Sequence, residues 1–240
     1  MTMLALSWSR LNTYMQCPRK FHLEYITKSF PKEEKSIHLV KGEQLHKQLE
    51  DYVLAKNGHA TMPLGFSPEV RNALPYVDRL YTLYQGVYPE AQVATRVDWT
   101  PTEWFAKDTA WRAIWDAVCL SPNTAFIVDW KSGKINPYGE GFGQLHLSAL
   151  IALERFKDVA EVNAAYVYIE HQKVTPIKVV REAGQVTAEG KPIPHVAQLR
   201  TYFDQKFETV QLEKAWEPIP NEFCKWCPAT KAMCKFSRKL

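Results

Sequence analysis

The segment from residue 114 to residue 131 constrains the fold more than any other part of the chain. It contains two apolar runs separated by four turn-forming residues, Ser121 to Thr124. This pattern predicts a β-hairpin. Centring its turn between the second and third of those residues places Asp116 directly opposite Asp129.

Two carboxylates that face each other across a ladder lie about 5 Å apart at Cβ, which is destabilising unless a positive charge lies between them. Lys131 shares the face of Asp129, because side chains alternate along a strand, and supplies one such charge. A divalent cation would supply more. The alternative is an edge hairpin with a solvated charged face. Apolar β-branched neighbours on the acidic face favour the cation site, since buried carboxylates without partners are costly; these neighbours are Ile114, Val118 and Ile127.

The composition is that of a folded globular protein of 240 residues, with 46% apolar and 23% charged residues. A net charge of +4 permits a polyanionic partner without establishing one. The first residues lack the pattern of a signal peptide, and no run approaches the roughly 18 apolar residues of a membrane span. We therefore expect a cytoplasmic protein with no membrane partner.

Periodicity predicts an α/β chain in which helices come first, followed by strands, a helix, further strands and a final helix. The predicted helices cover residues 7–27 with a break at Cys17–Pro18, 38–57, 67 to about 86, 142–156 and 195–212. The predicted strands cover residues 91–99, the hairpin, 161–170 and 175–180. This order indicates a mixed sheet flanked by helices.

Three cysteines near the C-terminal end form the most specific local signal: Cys224, Cys227 and Cys234 lie within eleven residues. In a cytosolic chain such bunching indicates a metal centre rather than disulfides. Cys17 is the natural fourth thiolate, whereas Cys119 lies on the hairpin face away from the acids and indicates packing. Spacing leaves zinc and an iron–sulfur cluster open, because four cysteines serve both.

Together these features resemble the PD-(D/E)XK nuclease superfamily, and within it the iron–sulfur RecB-type nucleases. That group includes the AddB nuclease domain and CRISPR-associated exonucleases. The resemblance rests on residues 7–25 with Cys-Pro-Arg-Lys-Phe, the Gly-x-x-x-His of residues 42–46, Asp116, Asp129-Trp-Lys131, Gln144 and the cysteine tail. It implies a restriction-endonuclease-like α-β-β-β-α-β core with a helical N-terminal addition and a C-terminal four-cysteine region.

The resemblance also implies a site. Mg²⁺ or Mn²⁺ would be held by His46, Asp116, Asp129 and the main-chain carbonyl of Trp130. Lys131 would attend the attacking water.

The cysteine set of Cys17, Cys224, Cys227 and Cys234 would hold a [4Fe–4S] cluster, with zinc as the alternative. Relatives carry a glutamine at the position of Gln144 that touches DNA or orders the site, followed four residues later by a tyrosine; here that position is Ser148. Many also carry an extra glutamate, for which Glu103 is the candidate.

We therefore expect a metal-dependent deoxyribonuclease, an exonuclease acting on DNA ends or single strands, with protein partners in recombination, repair or CRISPR-type systems. Its basic contacts to the DNA backbone are predicted at Arg19, Lys20, Lys225 and Lys231. Residues 1–240 are read as a single nuclease domain, divided into a helical part (1–90), a catalytic sheet core (91–182) and a helix with the cysteine tail (193–240). The alternatives are a non-catalytic DNA-binding or assembly subunit on the same scaffold and a zinc-stapled nucleic-acid-binding module.

Overall fold

The computed structural model describes residues 3–30, 35–135 and 141–238, so the first and last two residues of the predicted domain lie outside the described residues. Helices and strands follow the predicted order. The helices are α1 (Trp8–Gln16), α2 (Pro18–Phe21) followed by a π-helical turn (His22–Ile26), α3 (Ile37–Lys56), α4 (Pro68–Leu83), α5 (Gly143–Arg155) and α6 (Val196–Leu212). A 3₁₀ turn, Glu222–Trp226, lies in the cysteine tail.

Six strands form one mixed sheet in the order β2-β1-β3-β4-β5-β6. They are β1 (Gly86–Thr95), β2 (Pro101–Thr102), β3 (Trp111–Leu120), β4 (Thr124–Lys131), β5 (Glu161–Tyr168) and β6 (Lys173–Val180). The β4–β5 pair is parallel and α5 connects its strands, whereas the other neighbours are antiparallel. The predicted mixed sheet flanked by helices is confirmed.

Helices cover both faces of this sheet, and each face has its own hydrophobic cluster. The first cluster lies under α1, α5 and α6, and its members include Leu11, Trp111, Trp115, Val118, Ile127, Leu147, Ile151 and Phe203. The second cluster lies under α3 and α4, and its members include Leu45, Leu49, Val70, Val77, Ala117, Cys119, Val128 and Trp130. Cys119 is fully buried there opposite Phe126, as the hairpin register predicts.

Strand β1 begins five residues before the predicted start and ends four residues before the predicted end. Its alternating apolar pattern in the sequence continues to Trp99, yet that residue has φ +70° and lies in a turn closed by a hydrogen bond from the Arg96 amide to the Thr100 carbonyl. The Trp99 ring is buried beside Trp111, and its indole N–H donates to Asp204 of α6 at 2.8 Å. Packing against α6, rather than strand geometry, explains the apolar residue at this position.

Cys17 lies between two helices, as predicted. Its backbone is extended (φ −165°, ψ 111°), and Pro18 occupies the first turn of α2, where a missing amide costs nothing. Segments about 200 residues later pack against this region. The Gln211 side chain bonds both main-chain groups of Leu4, and Asn221 donates to the Gln16 carbonyl at 2.9 Å.

Within the described residues, no helix is both long and apolar enough to cross a membrane.

Candidate active site

Helix α3 carries His46 to the edge of the sheet. Leu45 and Leu49 are buried in the second cluster, which fixes the helix rotation and leaves His46 partly exposed beside them. Its Nδ1 lies 3.4 Å from Oδ1 of Asp116 on β3. The structure thus brings together two predicted site residues that are 70 positions apart in the chain.

The central hairpin has the predicted register, but its ladder ends before the acids. The paired residues run from Leu120–Ala125 to Ala117–Val128. Beyond them, Oδ2 of Asp116 accepts the main-chain amide of Trp130 at 2.7 Å. The expected direct pairing of Asp116 with Asp129 is therefore wrong, because the Asp116 side chain binds the β4 backbone where a ladder bond would otherwise form.

Side-chain alternation along β3 also changes at Asp116. Trp111 and Trp115 belong to the first cluster, whereas Ala117 and Cys119 belong to the second. In a regular strand all four would lie on one face. A local distortion of this kind re-aims a side chain, as β-bulges beside active sites do.

The neighbouring strand β1 is distorted at the matching position, Glu90. The β1–β3 register pairs residues 89 and 91 with residues 117 and 115 and leaves Glu90 unpaired with Asp116. Glu90 has φ +46°, a left-handed conformation that is uncommon for residues other than glycine. Backbone strain of this kind clusters at functional sites.

Glu90 completes a three-residue group with His46 and Asp116. One ligand atom from each lies within 4.8 Å of the other two. Sequence reasoning missed this glutamate and named Glu103, which is exposed in the loop between β2 and β3 and does not belong to the group. A strand that starts at Gly86 rather than at residue 91 would have included Glu90.

Asp129 lies next to this group, and two side chains engage it. Its Oδ2 is 2.7 Å from Nζ of Lys131, and its Oδ1 accepts a hydrogen bond from the Gln144 amide. Burial raises the pKa of Asp129 to about 6, and the charge of Asp116 acts in the same direction against that of Lys131.

The approach of helix α5 places Gln144. A Cβ on the preceding residue, Gly143, would overlap the ring of Trp8, so only glycine allows the start of α5 to lie this close to α1. Ser148, one turn further along α5, is buried.

Charge balance around the site is negative. Burial opposes the charged form of His46, but its hydrogen bond to the Asp116 carboxylate and the charges of Asp116, Asp129 and Glu90 outweigh it and raise the pKa of His46. Burial raises the pKa of Glu90, and Asp116 adds to that effect. Three carboxylates thus share a small volume with Lys131 and one imidazole, an arrangement that a cation stabilises.

Two further residues near the site, Gly42 and Trp130, have defined surroundings. A Cβ at Gly42 would meet Oγ of Ser132 at 2.8 Å. The glycine thus permits α3 to approach the end of β4. The main-chain amide of Trp130 donates to Asp116. The role of the Trp130 carbonyl as a metal ligand stays a prediction.

A second candidate centre is formed by the four predicted cysteines. Cys17, Cys224, Cys227 and Cys234 line one pocket of about 480 Å³, and all are free thiols. Apolar side chains complete its wall, among them Leu23, Ile219 and Phe236. Among the described residues, no three cysteine sulfur atoms all lie within 4.8 Å of one another.

The charges around these thiols are mixed. Burial raises the pKa of the Cys227 thiol, and the thiols of Cys17 and Cys234 act in the same direction, against the Ala229 amide and the Lys20 ammonium. Arg19 lines the same pocket.

The basic residues predicted to contact DNA are therefore divided between two environments. Arg19 and Lys20 lie at the cysteine pocket, whereas Lys225 and Lys231 are exposed on the tail. Lys225 lies 3.8 Å above the exposed ring of Trp226. Their contact with DNA stays a prediction.

Comparison with known proteins identifies one family. The family model described as "PD-(D/E)XK nuclease superfamily" matches residues 5–235. No curated protein matches the chain significantly. Among solved structures, one described as "Crystal structure of SSO0001" is 13% identical, covers 88% of this chain and 91% of its own, and gives a TM-score of 0.34, too low to carry an argument.

Proposed function

Because this chain belongs to the PD-(D/E)XK nuclease superfamily, we propose that it is a Mg²⁺- or Mn²⁺-dependent deoxyribonuclease, with exonuclease action on DNA ends or single strands. The observation that carries this proposal is the group of His46, Glu90 and Asp116 beside the Asp129–Lys131 ion pair. The family match spans residues 5–235 and supports treating the 240 residues as one nuclease domain.

The donor set fits the proposed cation. Carboxylate oxygens from Glu90 and Asp116 are the hard ligands that Mg²⁺ and Mn²⁺ prefer, and an imidazole suits Mn²⁺ as well. Asp129 is the further predicted ligand. A bound divalent ion would supply Lewis-acid polarisation of the scissile phosphate and a more acidic water.

Each residue of the site has a distinct role in this proposal. Lys131 orients the attacking water or stabilises the negative charge that develops on the phosphate oxygens. Gln144 holds the Asp129 carboxylate through its amide, which fixes the direction of the remaining oxygen. The bond from the Trp130 amide does the same for Asp116 and leaves Oδ1 facing His46.

The four cysteines are proposed to hold a [4Fe–4S] cluster with a structural role. Tetrahedral zinc, at about 2.3 Å from each sulfur, needs sulfur atoms about 3.8 Å apart. In every set of three of these thiols at least one pair of sulfur atoms is more than 4.8 Å apart, a spacing that suits a group with several metal atoms, in which each cysteine binds a separate iron. Such a group would join α2 to the tail and stabilise the fold. Partners in recombination, repair or CRISPR-type systems remain part of the family-based proposal.

The test is a time course on end-labelled single- and double-stranded DNA and on RNA, with Mg²⁺, Mn²⁺ or EDTA. We expect metal-dependent cleavage of DNA by the wild-type protein and none by Asp116→Asn. The matched control is Asp158→Asn, which changes an exposed aspartate in the loop after α5 and should cleave normally.

Three outcomes would contradict the proposal: no cleavage of any DNA with either metal, cleavage that persists in EDTA, or normal cleavage by Asp116→Asn. Preferential cleavage of RNA would change the proposed substrate from DNA to RNA, while the proposed nuclease chemistry would still hold. A Lys131→Met variant, compared with the exposed Lys107→Met, tests the role of the lysine separately.

A further inference from the structure

A second open pocket, of about 910 Å³, lies beside the acidic site. It lies between the start of α1, the first half of β3 and the start of α5. Gln144 connects the two sites, because it lines this pocket and also donates to Asp129. A ligand in the pocket would therefore be adjacent to the residues proposed for cleavage.

Among the described residues that line the pocket, two are arginines and none is acidic. Arg112 and Arg10 both line it, and neither forms a salt bridge with a carboxylate in the described part of the chain. Nε of Arg112 is buried without a hydrogen-bond partner there. Burial lowers the pKa of Arg112, and the charge of Arg10 adds to this effect. Two arginines that repel each other without a counter-ion favour binding of an anion, and guanidinium groups match phosphate geometry.

Aromatic rings lie against the same guanidinium. The carbon Cζ of Arg112 is 5.4 Å from the Trp104 ring centroid and 5.7 Å from that of Phe105. Trp104 lines the pocket, whereas Phe105, which is 86% exposed, lies outside its lining.

The loop that carries these rings is held in place. The Thr109 hydroxyl donates to the Glu103 carbonyl at 2.9 Å, and Asp108 forms an ion pair with Arg96 at the end of β1. The rings are therefore presented on a preorganised loop, which reduces the entropy lost on binding.

We propose that this pocket binds an unpaired nucleotide of the substrate strand, with a backbone phosphate at Arg112 and Arg10 and a base against Trp104. Stacking on an aromatic ring requires an exposed base face, which a base inside a duplex does not offer. Arg112 and Asp116 lie four residues apart on β3, about 13 Å along the strand, so the bound nucleotide is a few positions from the cleaved bond. This inference rests on the proposed function and specifies its substrate as single-stranded.

The test measures binding without cleavage. A fluorescent oligothymidylate is titrated with protein in EDTA, and anisotropy gives the dissociation constant over a series of KCl concentrations. Arg112→Gln should weaken binding about tenfold, because a hydrogen bond to a charged group is lost. It should also reduce the slope of log K against log[salt] by about 0.7, the value for one phosphate contact on a single strand. Trp104→Ala should weaken binding about fivefold or more without changing that slope.

Controls separate binding from folding. Arg79→Gln makes the same charge change on the exposed face of α4, the helix on the other side of the sheet, and should bind as the wild type does. Arg112→Lys keeps the charge but loses the planar fork; it should preserve the salt slope while losing affinity. Melting temperatures should not fall in Arg112→Gln, since it removes a partly buried charge that has no counter-ion among the described residues.

The outcomes also separate this inference from the proposed function. If Arg112→Gln and Trp104→Ala bind single strands as the wild type does, or if the wild type binds a blunt duplex as tightly, the pocket is not a strand site, even when the protein cleaves DNA. If binding depends on Arg112 while no metal supports cleavage, the pocket is still a binding site for single strands, but the proposed nuclease function is wrong. Equal binding of oligouridylate would extend the ligand to RNA.

Discussion

Replacing Asp129 with asparagine should stabilise the metal-free protein at neutral pH. Its pKa is raised from 3.8 to about 6, chiefly because burial disfavours the charged carboxylate. At about 1.36 kcal/mol per pH unit, that difference amounts to roughly 3 kcal/mol. Asparagine keeps the shape of the protonated acid and can still accept the Gln144 hydrogen bond, so it avoids this cost.

The pH dependence of the wild-type stability follows from proton binding at Asp129. Between about pH 4 and pH 6 the folded state binds more protons at Asp129 than the unfolded state does, so the stability of the wild type falls as pH rises through this window. Below it, both states are protonated and the two proteins should have similar stability. Above it, Asp129→Asn should gain the full roughly 3 kcal/mol, or about 6–12 °C in melting temperature for a chain of this size.

The assay is thermal or urea unfolding in EDTA at about pH 4 and about pH 8, the two sides of the window. Asp158→Asn, an exposed aspartate, should show no such pH-dependent gain. The reasoning is refuted if Asp129→Asn is less stable than the wild type at the higher pH, or if its gain is the same at both. Either result would show that the ion pair with Lys131 outweighs the cost of burial.

Three further changes test the remaining residues. Lys131→Met should lower turnover about 10²–10³-fold while leaving Mn²⁺ binding in place, which steady-state rates and a metal titration measure together. Glu90→Gln should raise the Mn²⁺ concentration needed for half-maximal rate, whereas Glu103→Gln should not; equal metal dependence in both would remove Glu90 from the site. Anaerobically purified protein should absorb visible light, and this absorbance should be lost in Cys17→Ser and retained in Cys119→Ser, while stoichiometric zinc without iron would contradict the cluster.

Local chemistry was sufficient to predict most of the secondary structure. Ser7 and Ser67 cap α1 and α4 as their positions before apolar periodic runs indicate. The hairpin register followed from its turn residues, which fix the pairing of two strands of known length. The four-cysteine grouping was also predictable, because spacing in the tail and the break at Pro18 left few other arrangements.

The details of the acidic site were not predictable by the same rules. Pro89 lies inside β1 and pairs with Ala117, although proline and the following glutamate are residues that normally argue against a strand. The left-handed backbone of Glu90 is a product of tertiary packing, which no local pattern encodes. Likewise, the bond from the Trp130 amide to Asp116 replaces a ladder bond, and register alone gives no sign of such a substitution.

The contacts between the N-terminal region and the C-terminal tail can form only late in synthesis of the chain. Cys17 leaves the ribosome about 200 residues before Cys224, which at roughly 5–20 residues per second is a delay of about 10–40 s. For most of this interval Leu4 lacks Gln211 and the end of α1 lacks Asn221 as hydrogen-bond partners, and the thiol of Cys17 has none of its three pocket neighbours. A nascent chain that stalls before the tail therefore has the Cys17 thiol without the groups that surround it in the folded protein, which leaves this thiol open to oxidation.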